Sequence, residues 1–480
     1  RSQEEVSRLH PQSQRRQRRE KLMIIMPNSK SFRETCRLLS ANDVATTCFV
    51  NLEGEDLHGS CGPLARALSG NSVVTRLCLR HCYIHDDDVA DLAPALRSSG
   101  RIDTLDLRDN FVGPAGAAAL ASLLLSPGGA GLKRLRLESN GVGDGGCRAL
   151  AGALRRNRSL VFLNLTDADV GPEGVSALAA GLRHNRGLES LNLSRNVRMG
   201  RAGAERLAAT YLKCRGGGPG LAQLDLSETG MGDDGAVAVA DALKSNGTLS
   251  DLDLSGNGIA SAGATAIASS LEVNCTLRCV RLAHNDIRDD GASNVAFALF
   301  RNEVLERLEC TGCGIGSVGA SCLAIALQKN YALRRLDLGD NADVRDEVKS
   351  FITEAVRRNA DPTGSPGWAK KREAFKLTRD RAEDLPAPLK KRLLFVLWIA
   401  NKIDAGRILR EEKPVGVDIW WTVLGMLCGS DLVPLRRTQR GGGECDVSHV
   451  ENMSAAFDAW LYPCGSRLEE FVGQSARGTL

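Results

Sequence analysis

The chain has 480 residues, more than a usual single domain, and growth by repetition is the architecture that escapes that limit. Its formal charge of +4 is small and conceals basic ends around a slightly acidic body: residues 31–360 hold 36 Lys/Arg against 39 Asp/Glu, whereas residues 1–30 hold eight against three. This balance excludes bulk nucleic-acid binding as the natural inference, and no run reaches the roughly 18 apolar residues needed to span a bilayer.

Residues 1–30 carry Arg15, Arg16, Arg18, Arg19 and Lys21 ahead of Leu22–Met26, and are expected to form a basic disordered tail. A nuclear-localisation or anionic-surface patch is the alternative for the same residues. The chain begins at Arg1 rather than at a methionine, which reads as a fragment of a longer protein. In residues 31–73, Val50, Leu52, Leu57, Leu64, Leu68 and Asn71 fall at nearly regular spacing, as an N-terminal cap and a degenerate first repeat would.

Ten regular units then start at Val74, Ile102, Leu132, Leu160, Leu188, Leu221, Leu249, Leu277, Leu305 and Leu333 and end near residue 360. The clearest pair places Leu249, Leu252, Leu254, Asn257, Ile259, Gly263, Ile267, Leu271 and Asn274 opposite Leu277, Val280, Leu282, Asn285, Ile287, Gly291, Val295, Leu299 and Asn302. Leu252 and Leu254 have the two-residue spacing of a strand face, and Ile267 and Leu271 the four-residue spacing of a helix face. Two steps are long, with Gly-rich insertions at Ser126–Gly131 and Arg215–Gly220, where helices end. The recurrent Asn (Asn110, Asn140, Asn196, Asn257, Asn285, Asn341) marks where the chain leaves each strand, and Ala168 and Thr229 interrupt that series, so local looseness is expected there.

Residues 361–368 read as a Pro/Gly linker, and residues 369–480 as a helical C-terminal extension with helices over 389–400, 417–427 and 448–461. All five tryptophans lie at or beyond that linker.

This L-x-x-L-x-L-x-x-N core with one strand and one helix per unit is identified as a leucine-rich repeat. The 28-residue length resembles the ribonuclease-inhibitor-like subfamily, shared by NLR-type receptors and Ran GTPase-activating proteins. The resemblance implies an α/β leucine-rich-repeat solenoid, a curved horseshoe with a parallel inner sheet of eleven strands, counting the degenerate one, and outer helices; the residues after the linker are expected to add a small α-helical C-terminal domain. It further implies a monomeric array that binds another protein on its concave face.

Several motifs that resemble chemistry are absorbed by the period. Gly314, Gly316 and Gly319 fit G-x-G-x-x-G, but Gly319 occupies the position of Gly263 and Gly291 and no doubly wound sheet surrounds it. Cys310 and Cys313 make a CxxC spacing at two core positions. Most Asn-x-Ser/Thr triplets, such as those at Asn157, Asn246 and Asn274, arise because the repeat itself places Asn there. Cys428, Cys445, His449 and Cys464 lack the close pairs of structural zinc sites. No catalytic set, metal site or cofactor is expected. Fifteen cysteines, many at core positions and with no secretory apolar stretch before the array, fit reduced thiols in the cytoplasm, with nuclear access through the Arg-rich tail.

Function therefore falls to the strand residues between the core leucines. Arg76, Arg80, His81, Arg108, Arg134 and Arg136 make the early units basic, with Glu138 among them. Asp225, Glu228, Asp251 and Asp253 make the middle acidic, and Arg281 and Arg307 turn the sign back. Phe162 is an aromatic at a concave position beside the early arginines, where interfaces concentrate energy. The leading expectation is a non-catalytic scaffold or sensor. A GTPase-activating regulator of a small GTPase is the alternative that the resemblance to Ran GTPase-activating proteins implies, although no arginine here matches the functional one of that family.

Overall fold

A computed structural model describes residues 32–42, 48–126, 131–213 and 220–360. The basic tail, the linker, the C-terminal helices and the Cys428/Cys445/His449/Cys464 set lie outside the described residues, as do most of the two Gly-rich insertions.

After α1 (Phe32–Ala41), strand and helix alternate: β1 (Phe49–Asn51), α2 (Cys61–Leu68), β2 (Arg76–Cys78), α3 (Asp86–Ser99), β3 (Thr104–Asp106), α4 (Pro114–Leu125), β4 (Arg134–Arg136) and α5 (Gly143–Leu154). They continue as β5 (Phe162–Asn164), α6 (Pro172–Leu182), β6 (Ser190–Asn192), α7 (Gly200–Leu207, with a π-turn over Ala208–Leu212), β7 (Gln223–Asp225), α8 (Gly232–Leu243), β8 (Asp251–Asp253) and α9 (Ser261–Leu271). The last are β9 (Cys279–Arg281), α10 (Arg288–Leu299), β10 (Arg307–Glu309), α11 (Ser317–Lys329), β11 (Arg335–Asp337) and α12 (Asp346–Ala360). The strands form one open, parallel, eleven-stranded sheet in strict chain order. Register is one unit per step: Leu252 pairs with Val280, and Val280 with Leu308.

Each three-residue strand from β1 to β10 buries its middle residue, Leu336 of the last strand being half-buried, and turns the two flanking ones to the other face, as the pleat requires. Leu135, Leu163 and Leu252 are fully buried, and the helices cover them with pairs such as Ile267 and Leu271. Complete burial of one such side chain contributes about 1.5–3 kcal/mol. Helices are wider than the roughly 4.8 Å between strands, so the stack curves with its strands inside.

Polar side chains join the units. Asn285 Nδ2 donates to Leu254 O (2.9 Å) and Leu282 O (2.9 Å), while its Oδ1 accepts from the amides of Asn257 (3.0 Å) and Ile259 (2.9 Å). The gaps in this ladder do not loosen the stack. Thr229 Oγ1 donates to Leu226 O at 3.0 Å, Ala168 N–H donates to Asn196 Oδ1 at 3.0 Å, and both residues are fully buried. The looseness expected at these units is absent from the geometry because a neighbouring asparagine carries each gap. Cys313 replaces the ladder asparagine with a thiol that donates to Leu282 O at 3.1 Å, and Cys310 beside it is buried in the core. A second ladder lies where helices end: Asn274 Nδ2 donates to Leu243 O (2.8 Å), and its Oδ1 accepts from Thr276 and Leu277 N–H. Asn157, Asn246 and Asn274 are buried for this reason.

The helices begin in two ways. The residue before α4, α6, α9 and α11 (Gly113, Gly171, Ala260, Gly316) is extended, whereas Gly143, Gly200, Gly232 and Arg288, which open α5, α7, α8 and α10, have φ of 57°, 51°, 59° and 54°. An aspartate after such a left-handed start reaches into the next unit. Asp289 Oδ1 accepts from Gly316 N (2.7 Å) and Gly319 N (2.8 Å), Asp144 Oδ1 from Gly171 and Gly174 N, and Asp233 Oδ1 from Ala260 and Gly263 N. A Cβ on Gly319 would lie 2.8 Å from that Asp289 oxygen. The glycines of the G-x-G-x-x-G stretch therefore admit a carboxylate from the neighbouring unit.

Candidate partner-binding face

Parallel register brings the outward residues of successive strands into rows. Arg134 lies beside Phe162 and Arg136 beside Asn164. The Phe162 ring is flanked by two guanidinium groups, Arg134 at 5.6 Å and Arg136 at 5.9 Å from its centroid. Such contacts are worth about 0.5–1 kcal/mol each at exposed sites and hold the guanidinium planes in place.

Charge around this ring is unevenly satisfied. Arg80 is held by Asp109 (2.6 Å) and Glu53 (3.1 Å), and Arg108 grips Asp106 through two nitrogens. Arg136 reaches the same Asp106 only at 3.7 Å. Among the described residues Arg76 and Arg134 have no ion pair, and both are exposed. Glu138 accepts from Asn164 Nδ2 at 2.7 Å through Oε1, but its Oε2 is buried without a partner. Burial pushes the Glu138 carboxyl above its usual range despite nearby Arg136 and Arg108.

The middle and late strands differ from their sequence reading. Asp251 lies 3.0 Å from Arg307 and Asp253 3.8 Å from Arg281, while Arg281 also reaches Glu309 at 3.3 Å. Asp251 and Asp253 of the acidic middle are therefore paired with arginines of the late units. The pairing follows from geometry, because a long arginine reaches one or two strands along the inner face. Glu228 pairs with Arg195 at 3.4 Å. Asp225 accepts from Asn192 Nδ2 and from Ser227, and burial raises its pKa.

One group escaped the sequence reading. The rings of His58, His85 and Phe111 follow one another at centroid distances of 4.4 and 4.9 Å, and Tyr83 connects Phe111 to His81 at 6.3 and 5.4 Å. Phe111 is 56% and Tyr83 44% exposed. His81 itself has φ of 54° at the turn out of β2. The available signal was the period, since Tyr83 and Phe111 each follow a ladder residue, Cys82 and Asn110, at positions with no packing role.

Fold and face together define a leucine-rich-repeat domain, an open surface of the kind that binds other proteins. Seven stretches match the leucine-rich repeat family model: residues 132–151, 156–179, 184–208, 221–240, 245–268, 273–296 and 301–324. The chain is 43% identical over 70 residues to Ran GTPase-activating protein 2 of Caenorhabditis elegans, covering 14% of this chain and 7% of that protein. It is 33% identical over 134 residues to human NACHT, LRR and PYD domains-containing protein 5, covering 22% and 11%. The chain thus spans only a small part of either relative. Among solved structures, an internalin from Listeria monocytogenes is similar at a TM-score of 0.37 and 17% identity, covering 62% of this chain and 86% of that one. The tropomodulin C-terminal domain of Caenorhabditis elegans is similar at a TM-score of 0.28 and 14% identity, covering 43% and 99%. Among the described residues no helix is long and apolar enough to cross a membrane.

Proposed function

We propose that the array is a non-catalytic binding module that holds a partner protein on its concave face, with the contact centred on Phe162, Arg134 and Arg136. The observation that carries this reading is the aromatic ring with two guanidinium groups within 6 Å of its centroid (5.6 and 5.9 Å), one of them with no ion pair among the described residues. Aromatic and Arg anchors concentrate binding energy, and a preorganised pair loses less entropy on association. The test is capture followed by mass spectrometry with the full chain and with Phe162→Ala/Arg134→Glu/Arg136→Glu. Loss of the main partner with an unchanged thermal unfolding curve supports the site, and unchanged recovery overturns it.

The 43% identity to a stretch of a Ran GTPase-activating protein favours a second reading, in which the partner is a small GTPase whose hydrolysis the array stimulates. A GTP-hydrolysis assay across a panel of small GTPases decides between a binder and an activator. We place the module in the reducing environment of the cytoplasm. Eight of the described free thiols (Cys61, Cys78, Cys82, Cys147, Cys279, Cys310, Cys313 and Cys322) are buried and serve as small apolar residues, a usage that favours this placement.

A further inference from the structure

The two halves of the concave face treat charge differently. Along β8–β11 each carboxylate meets a guanidinium: Asp251 with Arg307, Asp253 with Arg281, and Glu309 between Arg281 (3.3 Å) and Arg335 (3.8 Å). Along β2–β5 Arg76 and Arg134 meet none among the described residues, and Arg136 shares an aspartate that Arg108 already holds. Two strand steps separate Arg76 from Arg134, roughly 10 Å of surface. The large apolar side chain beside them is Phe162, with the Arg134 and Arg136 guanidinium groups 5.6 and 5.9 Å from its ring centroid.

We infer that Arg76, Arg134, Arg136 and Phe162 receive an acidic segment of a partner protein, with carboxylates on the free guanidinium forks and an apolar side chain on the ring. This rests on the concave-face reading above and gives it a partner chemistry. A guanidinium presents parallel N–H donors that match a carboxylate, and the cation–π contacts with Phe162 restrain Arg134 and Arg136 before binding. A nucleic acid fits less well. Asp106, Asp109, Glu138 and Glu53 interrupt the arginines, so no continuous basic stripe exists to follow a phosphate backbone.

The test uses fluorescence anisotropy with the full chain and three labelled probes: a Glu/Phe-rich peptide, its Lys/Phe counterpart and a single-stranded RNA oligonucleotide. The expected result is binding of the Glu/Phe peptide, weakened by rising salt, with roughly tenfold or greater loss in Arg76→Glu/Arg134→Glu and no change in Arg335→Glu. Arg134→Gln with Phe162→Leu serves where the charge reversals impair folding, and the same loss is expected. Equal binding of the Lys/Phe peptide overturns the inference, and so does tighter RNA binding lost in the same variants. Undiminished Glu/Phe binding in them, which would place the contact elsewhere, such as at Arg15–Arg19, also overturns it. If the natural partner is lost in the Phe162 variant while no Glu/Phe peptide binds, the concave site stands and the acidic partner falls.

Discussion

Asp289 and Gly316 are 27 residues apart in the chain, yet the aspartate Oδ1 accepts the glycine amide at 2.7 Å, so the first turn of one unit's helix fixes the helix start of the next. The same oxygen holds Gly319 N–H, and charged acceptors make stronger bonds than neutral ones. Asp289→Ala is expected to destabilise the array by about 1.5–3 kcal/mol, measured by urea unfolding. Gly319→Ala tests the same contact from the other side, because its Cβ meets both that oxygen and Ala292 Cβ at 2.8 Å. A stability loss below a few tenths of a kcal/mol in both would contradict the staple.

Asn285 serves four backbone groups from two units. Replacing it by Ala strands buried donors and acceptors that no water replaces, at about 1–3 kcal/mol for each group left unpaired. Asn285→Ala is therefore expected to cost more than Asn294→Ala, a half-buried helix residue whose amide makes only surface hydrogen bonds, in the same denaturant series. Equal costs would remove the ladder from the account of stability.

Glu138 gives a pH-dependent prediction. Burial raises its pKa in the fold, so the unfolded chain loses that proton first as pH rises. Its contribution to stability is fully present below the ordinary carboxyl range and declines as pH rises through the raised value. Glu138→Gln keeps the acceptor for Asn164 and removes the charge. The variant should melt above the parent at pH 7, and the gap should close near pH 4. A gap that widens on acidification would reverse the sign and refute the assignment. Asp225 is a poorer subject, since an amide there would oppose the Asn192 amide nitrogen.

The Asp251–Arg307 pair predicts a small number. The two side chains are 19% and 47% exposed, so a double-mutant cycle should return a coupling of about 0.2–1 kcal/mol, decreasing with salt. A coupling of several kcal/mol would show a far drier inner face than the exposure indicates.

The spacing of Leu252 and Leu254 against Ile267 and Leu271 made the strand–helix alternation legible, because burial imposes it on every unit. The repeated Asn257 and Asn285 likewise announced the ladder, since an amide can donate and accept at once at that turn. Side-chain reach is not written in a period. Arg307 finds Asp251 56 residues away, a pairing across the sign change along the face that the spacing alone does not show. Phe162 and its arginines were visible because a single aromatic stood out in a polar column. The ring series from His58 to His81 was not, since it joins residues of different columns in three units. The uniform period also hid the two kinds of helix start, which differ in one dihedral and not in length.

Those two kinds of start do not alternate throughout. α7 and α8 both open on a left-handed glycine, and Arg201, standing where an aspartate would reach across from α7, meets Asp234 in an exposed ion pair instead. Exposed pairs couple weakly, so this junction transmits less cooperativity than the stapled ones from α5 to α6, α8 to α9 and α10 to α11. Under mild denaturation the array should part here first, with amide exchange rising on both sides of α7 before it rises at α5 or α10. A solenoid assembled from near-identical units would thus have a built-in fault line, set where two left-handed starts meet and the first carries no aspartate.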